Sequence, residues 1–121
     1  MTHLTIPWAA LASDNRRNSR RGGRAHGWDY RHAREAIRML MMSGVGSDQP
    51  RFRVPVHVRY DFYPPDYRRR DVSNFLKILG DSGNGVVWED DSLITSLSYL
   101  KHAPDGSDPR VEITVKARAA A

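Results

Sequence analysis

One segment alternates more strictly than any other in this chain. From Arg53 to Tyr63, the residues Val54, Val56, Val58, Tyr60 and Phe62 fall on one side, while Arg53, Pro55, His57, Arg59 and Asp61 fall on the other. A period of two predicts a strand with one buried and one wet face. Pro55 carries no N–H, which suits the first residues of a strand or a sheet edge. A period near 3.6 predicts a helix from Trp28 to Ser43, with Ala33, Ile37, Leu40 and Met41 on its apolar face. Gly44 follows as the expected stop. Shorter patterns predict an opening strand from Leu4 to Trp8 and a helix from Val72 to Gly80 with Phe75, Leu76 and Leu79 inside. An apolar segment Val86-Val87-Trp88 and strands over Leu93–Lys101 and Arg110–Arg118 follow. The run from Pro104 to Pro109 reads as a turn, so the last two strands are expected to form a hairpin.

These elements run β-loop-α-β-α-β-β. That order predicts an α+β fold, a mixed β-sheet with helices packed against it. With 121 residues, the chain forms a single domain over 1–121. The exception to the patterning is 12–27, which has no apolar period, carries Arg16, Arg17, Arg20, Arg21 and Arg24, and contains Gly22-Gly23. It reads as a basic, flexible loop that contacts a ligand.

Charge sharpens this picture. From Arg16 to Arg38 there are eight arginines and two acids; from Asp71 to Asp91 there are five acids and one lysine. A basic arm joined to an acidic centre suits a protein that grips a polyanion and acts on it through a metal ion. The preference for arginine over lysine, sixteen to three, is what a GC-rich genome produces by codon bias, but bias does not cluster charges. Cysteine is absent, which excludes disulfides and thiolate metal sites. No apolar run reaches the roughly 20 residues needed to span a bilayer, and the first residues lack a signal-peptide pattern. The expected location is cytoplasmic. The five histidines lack zinc-ligand spacing, and no phosphate loop, nucleophile elbow or dinucleotide fingerprint is present, so no small-molecule cofactor is expected.

The candidate chemistry lies in Arg68-Arg69-Arg70-Asp71-Val72-Ser73-Asn74-Phe75-Leu76-Lys77 and in Glu89-Asp90-Asp91. A guanidinium matches phosphate oxygens with a planar fork of donors. Clustered carboxylates suit Mg²⁺, which itself bridges to phosphate. The same residues also fit a basic turn, a helix and an acidic turn, all solvated. Asp71 and Asn74 sit where a helix cap is favoured, and Lys77 is spaced for an i,i+4 ion pair with Asp81. Asp90 and Asp91 repel each other unless a cation or basic group offsets them.

Taken together, these residues resemble the RusA-type Holliday junction resolvases, small DNA-repair nucleases often carried by phages. The likeness begins at Ile6-Pro7-Trp8 and Ser13-Asp14-Asn15-Arg16. It passes through the Arg68–Lys77 block and Trp88-Glu89-Asp90-Asp91, and closes at Arg110-Val111-Glu112-Ile113-Thr114. The resemblance implies a structure-selective, Mg²⁺-dependent DNA endonuclease that resolves four-way or branched DNA by paired nicks, with Mn²⁺ able to substitute. It implies metal held by Asp71 and Asp91 with Asp90 beside them, catalytic assistance from Lys77, and Ser73 at a further catalytic position. DNA contacts are expected from Asn15, Arg16, Arg17, Arg20, Arg21, Arg24, Arg68, Arg69, Arg70 and Asn74. A four-way junction is roughly two-fold symmetric, so a homodimer is expected as well. Ser73 departs from the family pattern, which has an aspartate there. The alternative expectation is therefore a weakened or inactive branched-DNA-binding protein.

Overall fold

The computed structural model describes residues 1–11, 26–47 and 49–118. Strands β1 (Thr2–Pro7), β2 (Val56–Tyr63), β3 (Ile94–Lys101) and β4 (Arg110–Ala117) form one sheet in the order β1-β4-β2-β3. Helix α1 spans His26–Val45, and α2 spans Leu76–Ser82 behind a 3₁₀ turn at Val72–Phe75. A second 3₁₀ turn, Asp91–Leu93, leads into β3. The sheet is mixed: β2 runs parallel to β3 and antiparallel to β4, and β4 runs antiparallel to β1.

The alternating strand is central, and its period explains the core. Val56, Val58, Tyr60 and Phe62 are fully buried and register with Val115, Ile113 and Val111 of β4, while Leu4 and Ile6 of β1 extend the same layer. Ile37 and Met41 of α1 and Phe75, Ile78 and Leu79 of the α2 region cover that face. The opposite face carries His57, Arg59, Asp61 and Tyr63, as the pattern requires. Pro55 precedes the strand, so its missing N–H removes nothing from the ladder.

Several expectations are corrected. β3 and β4 do not form a hairpin, because β2 lies between them. The Pro104–Pro109 turn reverses the chain but cannot fix which strand is its neighbour, and the most apolar strand takes the centre. Val54 is exposed and outside β2. Leu40 is exposed also, so the buried stripe of α1 is narrower than the spacing suggested. The helix passes through Gly44, which lies against Leu4, and ends before Gly46, whose φ of 75° supplies the left-handed C-terminal residue. Trp8 begins a helical turn rather than ending β1, and residues 26 and 27 belong to α1 rather than to the basic loop.

The α2–β3 connection is anchored by Trp88. Its indole is fully buried and donates to the Gly80 carbonyl at 3.0 Å. A Cβ on Gly83 would lie 2.6 Å from that ring, so only glycine allows the ring so close. This packing sets where Asp90 and Asp91 emerge. One strand is left incompletely covered: β3 is an edge, and Leu97 and Tyr99, which share the helix side with Val58 and Tyr60, remain 42% and 45% exposed.

Candidate active site

The predicted residues fall into two sets of contacts, one around Asp71 and one around Asp81. The first is the corner around Asp71. Asp71 is extended at φ −104°, ψ 100° and caps the 3₁₀ turn: its Oδ1 accepts from the Ser73 backbone N–H at 3.0 Å and from the Ser73 hydroxyl at 2.6 Å. These two bonds hold the exposed Asp71 carboxyl below the ordinary carboxylate range, with help from the Lys101 charge. Lys101, the last residue of β3, donates to the Arg70 carbonyl at 2.9 Å. The cap expected from the sequence is present, and Ser73 turns out to be its donor.

The three arginines differ in how they are held. Arg70 aims inward, pairing with Asp66 at 2.8 Å, donating to the Asp66 and Arg68 carbonyls, and lying over the Trp8 ring. It braces the turn. Arg68 and Arg69 are exposed, and Arg68 reaches Asp66 only at 4.0 Å, so their donors face solvent. Asn74 is exposed on the same turn. Tyr67 also stands out here, 81% exposed beside Arg68. Its position in the sequence gave no pattern to single it out.

The second group gathers four elements. Asp81, in the last turn of α2, accepts from the Tyr30 hydroxyl of α1 and pairs with Lys77 at 3.4 Å. The Lys77 ammonium also lies 4.7 Å from the centre of the Tyr30 ring. Asp91 lies near enough to act on the Asp81 carboxyl. Burial opposes ionisation of Asp81, but the Tyr30 hydroxyl, Lys77 and Asp91 together hold its carboxyl below the usual range. Tyr60 of β2 is fully buried, and its hydroxyl has no hydrogen-bond partner among the described residues. Burial first, then the nearby Asp91 charge, push the Tyr60 phenol up. Leaving such a hydroxyl unpaired costs about 1–3 kcal/mol. Asp90 does not join this group. Its carboxylate accepts from the Ser92 N–H at 2.9 Å and caps the second 3₁₀ turn.

Lys77 therefore takes the ion pair its spacing allowed, with Asp81 and the Tyr30 ring rather than with Asp71. The residues expected to hold metal divide the same way, with Asp71 beside Lys101 and Asp91 beside Asp81. Among the described residues, no three histidine, aspartate or glutamate side chains gather into one metal-holding group. Sequence reasoning gave Lys101 and Tyr60 no role, since their positions depend on how β2 and β3 register. Asn15, Arg16, Arg17, Arg20, Arg21 and Arg24 lie outside the described residues. Among the described residues, no helix is long and apolar enough to cross a membrane.

Comparison with known proteins bears directly on this arrangement. The model of the family described as endodeoxyribonuclease RusA matches residues 7–116. A crossover junction endodeoxyribonuclease of Enterobacteria phage 82 is 30% identical over 118 residues, spanning 93% of this chain and 92% of the relative. Proteins of the same description from Escherichia coli K12 and Shigella sonnei are each 30% identical over 117 residues, spanning 93% of this chain and 91% of each relative. The match covers both ends of β3, the Arg68–Lys77 block and the Trp88–Asp91 segment, and by it the chain belongs to the RusA family of endodeoxyribonucleases.

Proposed function

We propose that this protein is a structure-selective, Mg²⁺-dependent endonuclease that cuts four-way or branched DNA in the cytoplasm by paired nicks, acting as a homodimer. The observation that carries the reading is the gathering of acids and lysines on the Arg68–Lys77 and Trp88–Asp91 segments, where Lys101 acts on the Asp71 carboxyl and Lys77 pairs with Asp81. The relatives' names, which specify crossover-junction cleavage, support the same chemistry.

The donors present fit a divalent ion. Mg²⁺ takes oxygen ligands, usually one or two protein carboxylates with waters and substrate phosphate completing the shell. Asp81 and Asp91 offer such oxygens, and Asp71 offers its second carboxylate oxygen. Asp71 and Asp91 would hold the ion, which when bound supplies an activated water and charge stabilisation at phosphate. The residues of the chain do the rest. Lys77 and Lys101 offset charge that grows on the phosphate oxygens, and Arg68 and Arg69 position the DNA backbone. Arg16, Arg17, Arg20, Arg21 and Arg24, with Asn15, extend that grip along the junction arms.

The open edge of the sheet supports the homodimer. β3 offers a free edge with Leu97, Tyr99 and Leu100 exposed. Antiparallel pairing of two β3 strands about a two-fold axis would join two sheets into one. It also leaves both helix layers on one side of a continuous sheet, facing a two-fold-symmetric junction.

One observation favours the weakened alternative. The Ser73 hydroxyl already satisfies Asp71 in the turn where the family pattern puts a carboxylate, which lowers the demand of that corner for a cation. A labelled four-way junction incubated with Mg²⁺, Mn²⁺ or chelator separates the readings. Metal-dependent paired nicks support the enzyme; binding without cutting in either metal overturns it in favour of the binding protein.

A further inference from the structure

The Asp71 corner adjoins a cleft that the nuclease reading, on which this inference rests, leaves unused. The cleft encloses about 240 Å³ between the turn after β2 and the end of β3. Pro64, Tyr67 and Pro104 give it apolar walls, and Arg68, Lys101 and His102 give it polar nitrogens. It is smaller than the pockets of drug-sized ligands, about 300–1,000 Å³, and suits one small flat group. Its walls are set before any ligand arrives. The Asp66 carboxylate accepts from the Arg68 N–H at 2.9 Å and pairs with Arg70 at 2.8 Å, so the backbone around Tyr67 is tied down and that acid is already engaged. His102 is held by the Asp61 carboxylate at 2.7 Å and by the Tyr63 ring, stacked on it at 4.4 Å and 5°.

The remaining groups point to a nucleotide. An exposed tyrosine alone means little. Tyr67, however, is 81% exposed on a braced turn, and its ring has few torsions to lose on stacking. The Arg68 side chain is 79% exposed and reaches Asp66 only at 4.0 Å. Lys101 gives one N–H to the Arg70 carbonyl at 2.9 Å and has two more to offer. An aromatic face beside two exposed cations takes a base by its π-face and the adjoining phosphate by charge. A paired base must first be pulled from the stack, which costs less where pairing is already broken, as at a branch point.

We propose that this cleft holds one unpaired nucleotide of branched DNA, its base stacked on Tyr67 and its phosphate between Arg68 and Lys101. Tyr67 is then a specificity residue that distinguishes a branch from continuous duplex. Lys101 bonds the carbonyl of Arg70, the residue before Asp71, so the captured nucleotide also registers the strand against that acid.

The test is binding in chelator, by fluorescence anisotropy, to a four-way junction and to a duplex of the same arm sequence, with a thermal melt for every variant. Tyr67→Ala should weaken junction binding about tenfold and leave duplex binding within twofold, and Tyr67→Trp should restore the junction preference. Arg68→Ala should weaken both substrates alike, as loss of a phosphate contact does. A junction carrying 2-aminopurine at the branch should change its emission on adding wild type, and much less on adding Tyr67→Ala; the same base placed mid-arm should stay silent. Equal junction and duplex affinity ratios in wild type and Tyr67→Ala overturn the proposal, and so does a wild type that leaves the branch 2-aminopurine unchanged. The second result decides by itself should Tyr67→Ala melt early. Cleavage with Mg²⁺ or Mn²⁺, measured in parallel, keeps the two readings apart. A wild type that cuts junctions while Tyr67→Ala retains the junction preference sinks only the role of Tyr67. A wild type that shows the Tyr67-dependent preference and cuts no branched DNA sinks only the nuclease reading.

Discussion

The Asp71 corner and the Asp81–Asp91 end carry the same residue types and are built in opposite ways. Asp71 is exposed, and its hydrogen bonds come from Ser73, two residues on, so its geometry is a local matter of one capped turn. Asp81 takes its partners from α1 and from its own helix, and Asp91, at the start of β3, acts on its carboxyl from a distant part of the chain. A locally satisfied acid keeps its geometry from its own turn, whereas an acid held by distant segments keeps its geometry only as long as those segments stay packed.

The hardest way to break the comparison is to remove each acid in turn. Asp71→Asn and Asp91→Asn should each lower junction cleavage by about a thousandfold or more, about 4 kcal/mol of transition-state stabilisation. Junction binding in a gel-shift assay should hold or tighten, since a carboxylate beside phosphate is lost. Wild-type cutting by either variant removes that end from the site.

Next comes complementation. If the two ends meet across a two-fold, a mixed dimer of Asp71→Asn and Asp91→Asn chains carries one intact site and one doubly altered site. Co-refolded mixtures should then recover single nicks, at about half the wild-type rate or less, without paired resolution. No recovery would mean that each site is completed within one chain. Mixed-dimer nicking on a plasmid cruciform measures this.

The lysines should respond less. Lys77→Ala is expected to slow cleavage about tenfold to a hundredfold, with little change in a thermal melt, because an exposed i,i+4 pair is worth about 0.3–0.5 kcal/mol. A large drop in melting temperature would instead make the Tyr30–Lys77–Asp81 contact structural.

The smallest effect sharpens the local side of the comparison. Removing the Ser73 hydroxyl should let the Asp71 carboxyl rise toward its ordinary value, read from a carboxyl-carbon NMR titration of Ser73→Ala. The sign follows from linkage: a depressed folded-state value contributes stability above the unfolded carboxylate range and loses it as pH falls through the folded value. Ser73→Ala should narrow that acid window only slightly, because Asp71 is exposed. An unmoved titration would show that the backbone N–H alone sets the Asp71 carboxyl.

Much of this protein was legible along the chain because the relevant forces are periodic or local. A period of two over 56–62 placed the central strand, and spacing near 3.6 identified α1, since burial of one face follows directly from backbone geometry. The Asp71 cap and the Lys77–Asp81 pair were readable for the same reason, each lying within one helical turn. What the sequence could not decide was pairing between distant segments. Strand order rests on which apolar surface is best covered from both sides, so β2 displaced the expected β3–β4 hairpin, and Leu40 and Val54 were left in solvent. Lys101 came near Asp71, and Asp91 near Asp81, only through that packing. The sequence by itself determined the elements, the caps and the stock of acids and bases. The tertiary structure decided which acids face one another, because proximity across 10 to 30 residues depends on the register of packed elements and not on any local preference.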